Sequence, residues 1–342
     1  MLSAAATMAL VLMAMPIGIR IAQRFGLVDS PGGRKQHEGS TPLVGGLVMT
    51  LSLLCVLGLT RPPAEYTGLI LPLCLILALG LVDDCIALRA RYTFFLQAAI
   101  ALVLIYHAGV AVSSLGNLLG TGELTTQRWA ILFTVISTVG MTNAINMVDG
   151  ADGLAGGIVA LSLAWLMLLA YLTGDGALLR FSAMMEGALV GFLAYNLRTP
   201  WRGRAAVFMG NAGSMSLGLV MTFLSVRLTG EPGAAVRPMT AVWVMGLPLM
   251  DMARVMARRM AMGRSPFDAD RLHLHHLLMR MGMSHGVSVH TKLLLSFVLG
   301  GVGVLGWWSG VPEWVMFWGF LLTLGVYCIL LGHRFDARYP GR

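Results

Sequence analysis

The chain has 342 residues, of which 57% are hydrophobic and only 12% are charged, whereas charged residues make up about 25% of an ordinary soluble domain. Together with a mean hydropathy of +0.77, this balance excludes a soluble globular enzyme, a disordered chain and a collagen-like repeat. The sequence therefore predicts an integral membrane protein. We attribute the formal net charge of +8 to membrane topology and expect no nucleic-acid partner.

Eleven apolar segments are long enough to cross a bilayer, because about 20 helical residues span about 30 Å of hydrocarbon. The predicted spans are residues 1–19, 43–60, 66–82, 92–112, 129–148, 153–173, 181–197, 205–226, 238–253, 293–312 and 314–332. We predict an all-α, polytopic protein of about eleven transmembrane helices in one domain, 1–342. The longest polar stretch, about 254–292, is predicted to be a cytoplasmic loop.

The basic residues divide unequally between the two sets of connections that alternate along the chain. One set holds nineteen Lys and Arg residues, and the other holds only Arg61, Arg128, Arg180, Arg227 and Arg237. Because positive loops stay in the cytoplasm, the N-terminus is predicted to be periplasmic and the C-terminus cytoplasmic. The polar clusters described next all fall on the cytoplasmic side of this topology.

The first cytoplasmic connection, Asp29 to Pro42, combines turn residues with the basic side chains of Arg34, Lys35 and His37. Turn residues with a basic triplet are typical of a positive-inside signal next to a tight turn. They are equally typical of a phosphate-binding loop, and both interpretations stay open at this point.

Two adjacent acids, Asp83 and Asp84, end the third predicted span. Neighbouring carboxylates repel each other unless a proton or a cation lies between them, so the pair indicates a divalent metal site. The alternative is an exposed helix end at which water solvates both carboxylates.

The fifth predicted span runs into a polar turn that contains Asn143, Asn146, Asp149 and Asp152. Asp152 could simply cap the next helix, and the glycines of the turn could serve its backbone. That interpretation leaves the other three side chains without a role, so the turn is a candidate binding site.

Small residues follow Phe208 up to Ser214, at the start of the eighth predicted span. Backbone N–H groups at such a helix start can approach an anion closely, and Asn211 is a suitable N-cap. Close helix packing in lipid would explain the same small residues.

The polar stretch before the tenth span carries Arg264 and three clustered histidines, His273, His275 and His276. Clustered histidines suggest a metal, but the neighbouring arginines disfavour a cation and favour a phosphate. A basic surface loop without a ligand is the alternative.

In this order, these motifs resemble the polyprenyl-phosphate N-acetylhexosamine-1-phosphate transferases, bacterial membrane enzymes that start lipid-linked glycan synthesis. The resemblance covers residues 26–286. It implies an eleven-helix fold, dependence on Mg²⁺ or Mn²⁺, and transfer of a sugar-1-phosphate from a UDP-sugar to undecaprenyl phosphate with release of UMP. It also implies a bacterial inner membrane location with the active site facing the cytoplasm.

The resemblance assigns roles to the residues singled out above. Those implied to be catalytic are Asp83, Asp84, Asp149 and Asp152. Those implied to ligate the metal are Asp83, Asp84, Asp149 and residue 211. Those implied to bind substrate are Asn143, Asn146, Arg264, His273, His275, His276, Lys35 and His37.

Two positions depart from the family pattern. The third acid of the family's aspartate-rich motif is absent after Asp84, and Asn211 stands where the Phe-x-Gly-Asp-x-Gly-Ser pattern has an aspartate. Asparagine keeps an oxygen but removes a negative charge from a cation site. We therefore hypothesise that Asn211 is an engineered or inactivating substitution that weakens metal binding and transfer.

The histidine segment is closest to the branch of the family that uses N-acetylglucosamine, and N-acetylfucosamine or N-acetylquinovosamine stay open as the transferred sugar. The product would feed O-antigen, enterobacterial common antigen or teichoic-acid synthesis. A transporter is disfavoured because the acids gather at one face. A non-catalytic receptor stays open because of Asn211, and a homodimer is compatible with the sequence.

Overall fold

A computed structural model of the chain describes residues 2–29, 40–60, 62–265 and 274–335, which are mostly helical. The helices are α1 (Leu2–Phe25), α2 (Gly45–Thr60), α3 (Ala64–Gly68), α4 (Ile70–Ile86), α5 (Ala90–Ala108), α6 (Ala130–Val148), α7 (Leu154–Thr173), α8 (Gly176–Asn196), α9 (Gly210–Thr229), α10 (Pro238–Val244), α11 (Gly246–Ala261), α12 (Leu274–Arg280), α13 (His285–Trp308) and α14 (Glu313–Phe335). One antiparallel strand pair, β1 (Val28–Asp29) with β2 (Thr41–Pro42), joins the two ends of the first connection.

The all-α, polytopic fold is confirmed, and every predicted span overlaps a helix. Within the described ranges, nine helices are long and apolar enough to cross a membrane. The second predicted span is the 16-residue helix α2, and the ninth is the pair α10 and α11, bent by 77° at their junction. Helices suit these segments because they satisfy every backbone polar group internally, as lipid requires. The total of eleven spans stays a prediction.

The polar stretch 254–292, predicted to be a cytoplasmic loop, contains helical segments in its described parts. Helix α11 continues to Ala261 and α13 already begins at His285, with α12 between them. Arg254 and Arg259 are almost fully buried, and Lys292 is completely buried inside α13. Lys292 therefore lies within the helix bundle and not in a cytoplasmic loop, which removes it from the charges that determine topology.

Helix α9 lies at the centre of the bundle, where it packs against α2, α4, α6 and α7 and is almost entirely buried. Glycines bring its neighbours close: a Cβ atom at Gly46 of α2 would collide with Gly213, and one at Gly80 of α4 would collide with Ala212. Small residues permit such close backbone approach between helices in a membrane. The start of α9 is consequently held between the ends of α2 and α4.

At the opposite end of the bundle, two carboxylates fasten the connection between α5 and α6. Glu313, at the start of α14, accepts hydrogen bonds from the backbone N–H groups of Asn117 at 2.6 Å and Met239 at 3.2 Å. Glu123 accepts from the Ser114 hydroxyl and from the Gly233 backbone N–H. These two hydrogen bonds lower the pKa of Glu123. Hydrogen bonds to the Glu313 and Glu123 carboxylates, mostly from backbone N–H groups, therefore stabilise this end of the bundle.

Candidate active site

Asp83 and Asp84 lie in the last turn of α4, which ends because Ala87 takes a left-handed conformation with φ of 49°. The backbone N–H of Leu88 donates to Asp83 Oδ1 at 2.7 Å. Asp83 therefore accepts one of the N–H groups that follow the helix end. An acid at a helix C-terminus opposes the helix dipole, and this local hydrogen bond offsets part of that cost.

Asp84 caps the first turn of α9. Its Oδ1 accepts the backbone N–H of Asn211 at 2.8 Å, and its Oδ2 accepts that of Ala212 at 3.1 Å. Helix N-termini leave such N–H groups without internal partners and favour a negative charge. The N-cap expected of Asn211 is therefore wrong, because a carboxylate from another helix takes that role. The anion at this helix start is Asp84.

The side chain of Asn211 connects α4 with α6. Its Nδ2 donates to Asp83 Oδ2 at 2.9 Å, and its Oδ1 accepts from Asn146 Nδ2 at 2.8 Å. Asn146 Nδ2 also donates to the Ser214 hydroxyl at 2.8 Å. The orientation of the Asn211 amide follows from its partner, since an ionised carboxylate can only accept. Three predicted site residues therefore lie in one hydrogen-bonded chain.

Asp149 follows the last turn of α6 and is half-buried. Burial, together with the negative charges of Asp84 and Asp152, raises the pKa of Asp149 to about 7. Desolvation and like charges both disfavour the ionised form of a carboxyl group. Negative charge is therefore in excess around this residue.

Asp152 lies in the turn between α6 and α7, where its Oδ2 accepts from Arg198 Nε at 2.7 Å and from the Ala205 backbone N–H at 3.1 Å. It does not cap α7, which begins after Gly153 without a side-chain cap. Asp152 instead connects this turn to the segment between α8 and α9. The capping alternative for Asp152 is wrong.

The structure places Asn143 one turn further from the acids than Asn146. Its Nδ2 donates to Gln97 Oε1 of α5 at 2.6 Å and to the Val139 carbonyl at 2.7 Å. Asn143 thus contacts α5, while Asn146 contacts α9. A direct role for Asn143 in substrate binding stays a prediction.

Several predicted substrate-binding residues lie outside the described parts of the chain, namely Lys35, His37 and His273. His275 and His276 belong to α12, but the placement of their side chains is not described. Arg264 is exposed, three residues after the end of α11. For these residues, the predicted phosphate contacts stay predictions.

Sequence reasoning missed two buried polar residues, one of them next to the site. Asn196, the last residue of α8, accepts the Gly153 backbone N–H and donates to the Val207 carbonyl, both at 2.8 Å. It thereby connects the turn that carries Asp152 to the segment that leads into α9. The second residue, Asp251, is fully buried in α11. Asn196 lies at the end of an apolar span and Asp251 lies inside one. A polar side chain in either position is a sequence signal that could have identified these residues.

The donor set fits a hard divalent cation. Carboxylate and carboxamide oxygens are what Mg²⁺ prefers, and the charges of Asp84 and Asp152 act on Asp149. Among the described residues, no three Asp, Glu, His or Cys side chains are grouped closely enough to hold a metal alone. An ion here would also need amide oxygens, water or substrate phosphates, which is usual for Mg²⁺.

Comparisons with known proteins identify the family of the chain. The family model described as glycosyl transferase family 4 matches residues 66–229. The undecaprenyl-phosphate alpha-N-acetylglucosaminyl 1-phosphate transferase of Escherichia coli K12 is 34% identical over 90% of this chain and 84% of its own length. Proteins of the same name from Salmonella typhi and Haemophilus influenzae are 35% and 32% identical, over 90% and 92% of this chain and 84% and 88% of their own. The chain therefore belongs to glycosyl transferase family 4, in the branch of the polyprenyl-phosphate N-acetylhexosamine-1-phosphate transferases.

Proposed function

We propose that the chain transfers N-acetylglucosamine-1-phosphate from UDP-N-acetylglucosamine to undecaprenyl phosphate and releases UMP. The observation that carries this proposal is the convergence of Asp83 and Asp84 from α4 with Asn146 and Asp149 from α6 at the start of α9. The names of the relatives, whose matches cover nine-tenths of this chain, support the acceptor and the sugar.

In the proposed reaction, an oxygen of the lipid phosphate attacks the sugar-bearing phosphorus of the UDP-sugar. A new O–P bond forms to that phosphorus, and the bond from it to the bridging oxygen of UMP breaks. Little covalent chemistry falls to the protein in phosphoryl transfer, so positioning and electrostatics dominate. The product is a lipid-linked sugar pyrophosphate.

The residues at the α9 start have distinct tasks in this proposal. Asp83, Asp84 and Asp149 with the Asn211 oxygen would hold Mg²⁺, for which Mn²⁺ could substitute. When bound, the cation neutralises charge on the pyrophosphate. Asn146 would orient the nucleotide sugar, and its hydrogen bond to Asn211 at the start of α9 supports this role. Either Asp83 or Asp84 takes the proton of the lipid phosphate.

We further propose that this end of the bundle faces the cytoplasm of a bacterium, in its inner membrane. A nucleotide sugar reaches the protein from water, whereas the acceptor lies in the bilayer, so both meet only at a membrane surface. Arg264 and the histidines at positions 273, 275 and 276 would bind phosphate groups there. Lys35 and His37 would do the same from the first connection.

The direct test uses purified protein, undecaprenyl phosphate, Mg²⁺ and labelled UDP-N-acetylglucosamine. We expect UMP release and a labelled lipid, both lost when undecaprenyl phosphate is omitted or when EDTA is added. UDP-linked N-acetylfucosamine and N-acetylquinovosamine are compared as donors in the same assay. Absence of UMP release with every donor would overturn the proposal, and passage of the label across vesicles without UMP release would indicate a transporter.

A further inference from the structure

A charged cluster is buried inside the bundle, apart from the acids at the start of α9. Asp251 of α11 and Lys292 of α13 are both completely buried, and their side chains form an ion pair of 3.3 Å. The hydroxyl of Tyr327, on α14, donates to Asp251 Oδ1 at 3.0 Å. Three helices therefore meet at one carboxylate.

Such a cluster is costly, which makes its presence informative. Removing two charges from water costs several kcal/mol per ion, and apolar residues of similar volume often stabilise a fold as well or better. Ionisable side chains inside a membrane protein accordingly point to function. Packing of α11, α13 and α14 alone does not require this pair.

A further contact of Asp251 indicates what the cluster does. Its Oδ1 also accepts the backbone N–H of Leu274 at 3.2 Å. Leu274 is the first residue of α12, which carries His275 and His276 and follows His273 directly. Asp251 thus satisfies an N–H group at the start of the histidine segment, while Lys292 holds the other carboxylate oxygen.

Helix α12 belongs to an apolar cluster that extends to the turn of the proposed active site. Leu274 and Leu278 share this buried cluster with Val148 and Leu154. Those two residues flank the turn that contains Asp149 and Asp152. A helix of seven residues does not hold its conformation alone, so its place in the cluster depends on apolar packing and on Asp251.

We propose that Asp251 is a positioning residue for the transfer reaction. It holds the start of α12 in the apolar cluster that borders the turn of Asp149 and Asp152, and Lys292 and Tyr327 keep the Asp251 carboxylate in place. The kinetic part of this inference rests on the proposed function. The structural part, that Asp251 anchors α12, does not.

The test compares two charge-free versions of the cluster, both made with Tyr327→Phe. The polar version carries Asp251→Asn and Lys292→Gln, whose amides pair with each other while the Asn oxygen still accepts the Leu274 N–H. The apolar version carries Asp251→Leu and Lys292→Met and has no acceptor. Both lack the Asp251–Lys292 charge pair and both keep the buried Arg254, so they differ at α12 mainly in that one hydrogen bond.

Two readouts decide the proposal, provided that the melting temperatures of the two versions agree. Hydrogen–deuterium exchange over 274–280 should be about tenfold faster in the apolar version, which corresponds to about 1.4 kcal/mol of lost local stability. The KM for the UDP-sugar should rise by a similar factor in the apolar version only, with a smaller change in kcat.

Equal exchange over 274–280 in the two versions would overturn the anchoring role. Faster exchange with unchanged KM would overturn the role in transfer. If the melting temperatures differ, the single variants Asp251→Asn and Asp251→Leu replace the pair, and exchange over 274–280, compared with the rest of the chain, must quicken in Asp251→Leu and not in Asp251→Asn. If the unmodified protein releases no UMP, the proposed function fails, while the exchange comparison still decides the anchoring.

Discussion

The amide of Asn211 donates a hydrogen bond of 2.9 Å to the carboxylate of Asp83. An aspartate at position 211 could not donate, so two carboxylates would then be in contact, and such a pair requires a proton or a cation between them. With asparagine, the contact is stable without either. The residue at 211 therefore determines how strongly this part of the site demands a cation.

The first prediction concerns Asn211→Asp. In EDTA the variant should melt at a lower temperature than the unmodified protein, because the new charge faces Asp83. Saturating Mg²⁺ should raise the melting temperature of the variant more than that of the unmodified chain, and turnover at limiting Mg²⁺ should increase. An equal Mg²⁺ shift in both proteins, with no gain in turnover, would show that Asn211 is not an inactivating substitution.

The second prediction concerns the cap that Asp84 provides to α9. Asp84→Asn can accept only one of the two backbone N–H groups, so we expect a loss of about 1–3 kcal/mol in stability. Asp83→Asn is the matched control, with a smaller expected loss because it caps no helix start. Melting temperatures check both variants, and a larger loss for Asp83→Asn would contradict the assignment. Turnover across pH then separates a base from a metal ligand, since a base loses turnover and keeps metal affinity.

The third prediction concerns pH and Asp149, whose pKa rises from 3.8 to about 7 in the folded protein. The folded state therefore holds this proton more tightly than the unfolded chain does, and stability falls as pH increases from about 4 to about 7. In EDTA, Asp149→Asn should raise the melting temperature more at pH 8 than at pH 5. An equal gain at both pH values would contradict the pKa shift.

Glu123, at the other end of the bundle, is a control for which the dependence of stability on pH has the opposite direction. The pKa of Glu123 is lowered by its hydrogen bonds, so its contribution to stability is present above its unfolded pKa and is lost as pH falls. Glu123→Gln should consequently lower the melting temperature more at pH 8 than at acidic pH.

The fourth prediction separates two roles of Asp152. If its task is only to hold Arg198 and Ala205, then Arg198→Gln and Asp152→Asn should lose similar activity. We expect Asp152→Asn to lose more than about tenfold in kcat/KM and Arg198→Gln less, because Asp152 also contributes charge beside Asp149. The ion pair itself is half-exposed at Arg198, and exposed pairs contribute only about 0–1 kcal/mol. Steady-state kinetics of both variants check this.

The fifth prediction tests the close contacts around α9. Gly46→Ala should destabilise the protein strongly, because the added Cβ would collide with the backbone of Gly213. Gly58→Ala lies in the same helix with nothing within 4 Å of the added atom and should be neutral or stabilising, since alanine favours a helix over glycine by about 1 kcal/mol. Melting temperatures in one detergent compare them, and equal values would contradict the packing.

Much of the fold could be predicted from the sequence because lipid imposes a simple pattern: long apolar segments form helices. The exceptions have specific causes. The break after Val244 lies four residues before Pro248, which has no N–H to donate to the Val244 carbonyl, so the proline was a signal that the span prediction did not use. Lys292 was assigned to a loop because its partner, Asp251, lies 41 residues away. A pairing over that distance leaves no local pattern in the chain.

The composition of the candidate site was predictable, whereas its hydrogen-bond partners were not. Asp83, Asp84, Asn146 and Asp149 are polar residues at the ends of apolar spans, and that position alone indicates a site. Which carboxylate would cap α9 depends on how α4 packs against α9, and that packing is decided by Gly80. Side-chain roles that depend on close contacts between helices could therefore be assigned only from the structure and not from the sequence.

The bond between Asp84 and the first amides of α9 also determines where the chain tolerates insertions. One extra residue between Gly80 and Asp84 would turn the acid by about 100° around the helix axis, away from both N–H groups. By contrast, the tip of the connection between α5 and α6, near Gly122, is exposed and has open space around it. A tag or a reporter domain inserted there should leave Asp83, Asp84 and Asp149, at the other end of the bundle, undisturbed.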